Sequence, residues 1–241
     1  MNASFNHLGQ PIGQPLPGWT PPPPPPRTPL VGRLCRVEPL DAGRHADELH
    51  AANQADAEGR MWTYLAYGPF ARAEEYRAWA GEAAAGADPL FHAVVEAATG
   101  RAVGVASYLR IAPTAGSIEV GHLAFAPALQ RTAAATEALF LMMERAFSLG
   151  YRRYEWKCDA LNAPSRAAAR RLGLSFEGVF RQATVYKGRN RDTAWYAAID
   201  AEWPALEAAF RRWLDPANFD AAGRQRLRLA ELTRPLLHRE G

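Results

Sequence analysis

The spacing of apolar residues changes period along the chain, and each change marks an element. Leu34-Cys35-Arg36-Val37 reads as a short strand. Asp41 then stands as an N-cap, and His45, Leu49 and Ala52 recur at helical spacing, which predicts a helix over residues 42–55. Tyr76, Trp79, Ala80 and Ala83 repeat the pattern over residues 71–85, and Gly86 ends it. Between the helices lies an aromatic-rich segment, residues 61–70, closing on Gly68-Pro69-Phe70. It reads equally as a plug between the helices or as a wall of a substrate cleft.

From residue 91 the period becomes two. Strands are predicted over residues 91–96, 101–110 and 117–125, joined by turns at 97–100 and 113–116, as an antiparallel meander. A helix follows over 131–149, with Ala135, Leu139, Met142 and Ala146 on one face and Gly150 at its C-terminal stop. A strand over 151–158 leads to a helix capped by Asn162, with Pro164 in its first turn and Leu172-Gly173 at its end. A long hairpin has arms over 175–186 and 192–199. An amphipathic helix over 202–214 carries Trp203, Leu206, Phe210 and Trp213 on one stripe. Residues 220–238 read as a further basic helix on the surface or a loosely docked tail.

Composition sharpens this in three places. Residues 1–30 hold ten of the 19 prolines, including Pro21 to Pro26, so they form an extended arm that Trp19 is expected to pin to the fold. The organisation is then an arm or linker over 1–30, one main domain over 31–200 and a C-terminal helical extension over 201–241. A net charge of +3 and a pI near 9.0 suit an anionic ligand and are too weak to call for nucleic acid. Cys35 and Cys158 do not make a disulfide framework, and a cytoplasmic location is expected. No apolar run reaches the ~18 residues a membrane span needs, and no metal is expected.

The candidate chemistry centres on residues 125–138, a strand end, a turn and a helix start rich in small residues. A helix N-terminus presents unpaired N–H groups and partial positive charge, which suits a phosphate. The order of elements, with this stretch after the meander, resembles that of the GNAT N-acetyltransferases. The nearest subgroup is the ribosomal-protein serine acetyltransferases (RimL/RimJ-like). Gln130, Arg131, Thr132, Ala133, Ala134, Ala135, Thr136, Glu137 and Ala138 align with that subgroup's pyrophosphate loop, but Arg131 and Ala133 stand where it has glycine. Both are expected in helical geometry, with Arg131 adding a charged contact to phosphate. Asn162-x-x-Ser165, Glu119-Val120-Gly121-His122 and Phe176-Glu177-Gly178 resemble further family signatures in the same order.

The resemblance implies an α/β (α+β) GNAT fold, with a mixed, largely antiparallel sheet of six to seven strands flanked by helices. It also implies acetyl-CoA as co-substrate and a primary amine as acceptor: a protein N-terminus, or a small amine such as an aminoacyl nucleotide. A homodimer is among the expected assemblies. Acetyl-CoA would lie against Leu123, Phe125, the loop residues 130–136, Asn162 and Ser165. Ser165 would donate to the leaving thiolate, or else merely cap its helix. The subgroup's catalytic Glu is replaced by Thr184, so the proton acceptor is sought in Glu119 and then His122, although Glu119 reads equally as a structural carboxylate paired with an arginine and His122 as a packed core histidine, with Asp192, expected to pair with Arg189 or Arg191 across the turn, a third choice. Arg131, Arg166, Arg170 and Arg171 are candidates for the phosphate end of the donor. Trp62, Tyr64, Tyr67 and Tyr186 are candidate acceptor contacts. The alternative is a degenerate GNAT domain that binds acyl-CoA or a partner without turnover.

Overall fold

The computed structural model describes residues 3–240. Its centre is an eight-stranded sheet in the order β3-β4-β5-β6-β7-β8-β10-β9. The strands are β3 (Leu30–Val31), β4 (Cys35–Pro39), β5 (Leu90–Glu96), β6 (Ala102–Ala112), β7 (Ser117–Phe125), β8 (Arg153–Asp159), β9 (Ser175–Tyr186) and β10 (Arg189–Ile199). All neighbours are antiparallel except β7 and β8. The sheet exceeds the expected six to seven strands because Leu30–Val31, at the end of the proline-rich arm, pairs with Val37 and Arg36 and adds an edge. A small hairpin inside the arm, β1 (Ser4–Phe5) with β2 (Pro11–Ile12), was not legible among the prolines.

The helices divide between the two faces. On one side α1 (Ala42–Asn53) and α2 (Ala73–Ala85) bury Leu49, Tyr76 and Ala80 against Phe91, Ala93 and Val105. On the other, α3 (Ala133–Ser148), α4 (Ala163–Arg171) and α5 (Trp203–Leu214) cover Ile118, Val120, Tyr154, Trp156 and Tyr196. Alternation along β7 and β8 explains the split: Ile118 and Val120 pack under α3, while Glu119 points the other way.

Two flanking segments are more firmly tied than expected. Pro22 and Pro25 are buried, Trp19 packs beside Gly116, and Arg27 donates to the carbonyls of Ala84 and Gly86. The C-terminal segment is a docked strap rather than a solvated helix. Its helical part is short, α6 (Leu229–Thr233) followed by a 3-10 turn over Arg234–Leu236, and Leu229 and Thr233 are fully buried. Further on, His238 N–H donates to Ser175 Oγ and Phe176 N–H to the Arg239 carbonyl.

Candidate active site

The parallel pair β7–β8 holds its ladder from Ser117–Arg153 to Val120–Trp156 and pairs no further. Beyond that point the strands part, each leading to a helix. A fork at the carboxyl ends of parallel strands, with two helix N-termini beside it, is a natural ligand crevice in an α/β sheet. On its β6 side, β7 carries a bulge in which His122 and Leu123 oppose the single residue Ala106. His122 takes φ +51°, a left-handed backbone unusual for a side-chain-bearing residue. Bulges re-aim side chains and interrupt pairing beside active sites.

The N-terminus of α3 forms one wall. Thr132 caps it, accepting from the Ala135 N–H at 3.1 Å. Gln130 is folded back, donating to the Phe125 carbonyl at 2.8 Å. No carbonyl among the described residues accepts from the N–H groups of Arg131, Ala133 or Ala134. The side chains of Ala134 and Ala135 are buried in the core, so these residues offer a ligand only backbone. The helix starts at Ala133, so Ala133 sits in helical geometry as expected. Arg131 does not: its φ is +63°, the conformation a glycine would favour, so the expectation of helical geometry there is corrected. Thr136 accepts from Arg171 Nη1 at 3.1 Å, a bond that ties α4 to the first turn of α3. Glu137 faces away from the crevice. Its carboxylate accepts from the N–H groups of Arg33, Leu34 and Cys35 and fixes the β3–β4 turn.

The start of α4 forms the other wall. Asn162 caps it by accepting from the Ser165 N–H at 3.1 Å. Ser165 Oγ accepts from the Trp156 indole at 3.0 Å, so its own proton is free to be given elsewhere. Cys158 lies within its reach: burial pushes this thiol up, while Ser165, Arg191 and Arg166 pull it back. Arg166 is occupied with Tyr196 Oη at 3.0 Å and the Ala160 carbonyl at 3.3 Å.

On the α1/α2 face, Glu119 is only 3% exposed. Arg110 Nη1 at 2.7 Å and Lys157 Nζ at 3.0 Å both hold its Oε2. Oε1 has no hydrogen-bond partner among the described residues and lies alongside Gly121, at the root of the bulge. Burial pushes the Glu119 carboxyl up, against the pull of Lys157 and Arg110. The His122 imidazole is stacked on Tyr67 at 5.6 Å and packs on Phe91 at 5.0 Å. Burial, then the Arg110 and Arg191 guanidiniums, push it down to about 4, so it is neutral at physiological pH.

The aromatic segment and the tip of the β9–β10 hairpin close this side. Trp62 is buried, edge-on to Tyr67 and Phe70, and supports the wall from behind. Tyr67 is stacked between Trp79 and His122, with a buried hydroxyl that finds no partner among the described residues. Tyr64 Oη reaches the Leu161 carbonyl at 3.3 Å. Tyr186 donates to Asp159 Oδ2 at 2.9 Å. Lys187 Nζ and Arg189 Nη2 donate to the carbonyls of Trp62 and Thr63 at 2.9 and 2.7 Å. Asp192 accepts from the Gln182 N–H and the Asn190 amide on the outer side of the hairpin, not from the arginines beside it as expected. Thr184 is exposed on β9.

The structure thus brings His122 and Tyr67 together near Glu119 on the α1/α2 face, ties Tyr64 and Tyr186 to Leu161 and Asp159 at the end of β8, and sets Ser165 against Trp156 on the opposite face. Sequence reasoning missed Trp156, Lys157, Asp159 and Arg191. For Arg191 the one signal was its place beside the turn Lys187-Gly188-Arg189-Asn190 of the hairpin.

The acetyltransferase (GNAT) domain matches residues 35–175. A GCN5-related N-acetyltransferase from Brucella melitensis superposes with a TM-score of 0.89 at 48% identity, covering 90% of this chain and 99% of that one. A GNAT-family structure from Chromobacterium violaceum gives 0.76 at 41%, covering 81% and 98%. At 18% identity the microcin C7 self-immunity acetyltransferase, in complex with acetyl-CoA and AMP, shares the fold, with a TM-score of 0.61 over 70% of this chain and 93% of that one. None of the curated proteins matches the chain. Since the domain spans more than half of the chain and a relative nearly half identical aligns along almost its full length, the chain belongs to the GNAT acetyltransferases, which transfer acetyl groups from acetyl-CoA.

Proposed function

We propose that the protein is a cytoplasmic enzyme that moves the acetyl group directly from acetyl-CoA to a primary amine in the β7–β8 fork. The observation that carries this reading is the arrangement of Glu119. Two cations hold Oε2 and leave Oε1 beside Gly121, so a carboxylate oxygen is available where an attacking amine would shed its proton. The donor set fits the donor molecule. The free N–H groups at the α3 start suit a pyrophosphate, and Leu123 and Phe125 lie on the strand edge released from the ladder.

In this reading, Glu119 accepts the amine proton, directly or through one water, as the N–C bond forms. Backbone N–H groups of the bulge steady the oxyanion. Ser165, held by Trp156, hydrogen-bonds the sulfur as the C–S bond breaks, the proton taken by Glu119 passes through water to the thiolate, and the products are an N-acetyl amine and the free thiol. His122, neutral and stacked on Tyr67, shapes the acceptor pocket and serves as a second proton acceptor. The RimL-like grouping and the choice between a protein N-terminus and a small amine belong to this proposal. An aminoacyl nucleotide is the second reading, favoured by the aromatic side of the cleft and by the AMP held by the microcin C7 neighbour.

The test is thiol release from acetyl-CoA over a panel of amines, with Glu119→Gln as control. Amine-dependent release that falls about 100-fold or more in the variant supports the reading, since general bases contribute about that much. Tight acetyl-CoA binding with no release for any amine favours the degenerate, binding-only domain instead.

A further inference from the structure

The hairpin tip places Lys187, Arg189 and Arg191 at alternate positions beside the fork, and their environment is unusual. None of the three has a carboxylate within salt-bridge distance among the described residues. Their donors go to neutral oxygens: the Trp62 and Thr63 carbonyls and, for Arg191 Nε, Thr193 Oγ1 at 3.1 Å. The Tyr186 ring carries Arg189 at 5.2 Å and Arg191 at 6.0 Å, which orients both guanidiniums. The nearby carboxylates are engaged elsewhere: Glu119 Oε2 pairs with Arg110 and Lys157, Asp192 accepts from Gln182 and Asn190, and Asp159 from the Tyr186 hydroxyl and the Leu161 N–H.

Lys187 and Arg189 lie on the acceptor side of the fork, while Arg191 acts on both His122 and Cys158. The helix starts suited to acetyl-CoA belong to α3 and α4, on the face of Ile118 and Val120. The tip bonds instead to the aromatic segment between α1 and α2, which packs with the opposite cluster. Cations held in fixed orientation without a direct carboxylate partner attract and align an anion, and Arg does so bidentately with carboxylate or phosphate.

Resting on the amine-transfer reading, we infer that the acceptor is an amine that also carries an anionic group, a carboxylate or phosphate, bound by Arg189 and Arg191 with Lys187 alongside. The anion docks at the hairpin tip and the amine reaches inward past Tyr186 toward Glu119 Oε1. The cation cluster thus selects the substrate, while the fork performs the transfer.

The experiment compares matched amines by thiol release: O-phosphoethanolamine against ethanolamine, and β-alanine against β-alaninamide. The inference expects kcat/KM about tenfold or more higher for the anionic member of at least one pair, and which pair responds distinguishes phosphate from carboxylate. Arg189→Gln and Arg191→Gln should abolish that preference by raising KM for the amine, with KM for acetyl-CoA within about twofold of the parent. Arg191→Lys, which keeps the charge, should retain part of it. Equal rates within both pairs overturn the inference and leave amine transfer standing. A rise in KM for acetyl-CoA alone also overturns it, since the cations would then serve the donor. No release with any amine removes the amine-transfer reading and this inference with it.

Discussion

The indole N–H of Trp156 donates to the hydroxyl oxygen of Ser165 across 3.0 Å, binding the last β8 residue paired with β7 to the first turn of α4. The bond uses the oxygen as acceptor and leaves the serine O–H available as a donor. Ser165→Ala should therefore lower kcat about 10- to 100-fold with little change in KM for either substrate, since a donor used at bond breaking acts on the transition state. Trp156→Phe should give a smaller loss of the same kind. Steady-state kinetics check both, and a change confined to KM for acetyl-CoA would show that Ser165 only binds.

Glu119 makes a prediction in pH. Burial pushes its carboxyl above the ordinary carboxylate value, so if it takes the amine proton, the acid limb of kcat/KM has its midpoint above that value. Glu119→Gln should remove this limb. A limb that stays in place in the variant and follows the acceptor's own pKa would sink the assignment.

Arg131 holds a left-handed backbone at φ +63° in the loop before α3. For a residue with a Cβ this costs on the order of 1 kcal/mol. Arg131→Gly should raise stability in urea unfolding by about 0.5–1 kcal/mol. If the guanidinium meets the donor phosphates, the same variant raises KM for acetyl-CoA, and the rise shrinks at high salt.

Glu137 should matter to the fold and not to the chemistry. Its buried carboxylate accepts three backbone N–H groups from Arg33, Leu34 and Cys35. Glu137→Ala leaves those donors unpaired and should cost about 2–4 kcal/mol in denaturant unfolding. At a temperature where the variant is folded, kcat should match the parent.

Acid should loosen the fold through its buried histidines. His122 and His92 are both pushed down to about 4 by burial, from an ordinary value near 6.5. Between those limits the unfolded chain binds protons that the folded chain refuses. Stability is therefore full above about 6.5 and falls as pH drops toward 4, with a slope of up to about 1.4 kcal/mol per pH unit for each proton. Thermal melts at pH 7, 5.5 and 4.5 should show a falling midpoint, and His92→Gln, if it folds, should flatten the curve.

Much of the architecture was legible from local patterns. Asp41 and Asn162 mark helix starts because a short polar side chain satisfies N–H groups that no earlier carbonyl can reach, and Thr132 does the same for α3, though the predicted helix began before it. The period-two runs located the meander because one strand face must alternate with the other. The β3 edge was not legible: two residues after a proline run carry no period, and Leu30 is a strand residue only because β4 is there to pair with it. The tail misled for a related reason. Its basic composition suggests solvent, but Leu229 and Thr233 bury themselves against α4 and α5.

The sequence by itself determined the order of elements, the family and the candidates Glu119, His122 and Ser165, because each depends on neighbours within a few residues. Only the tertiary structure decided what those candidates can do. It set Glu119 between Arg110 and Lys157 with one oxygen left over, gave Arg131 its left-handed turn, and carried Lys187, Arg189 and Arg191 to the carbonyls of Trp62 and Thr63. The tip and the aromatic segment lie more than a hundred residues apart in the chain, and the field they create together depends on distances through space that no local pattern encodes.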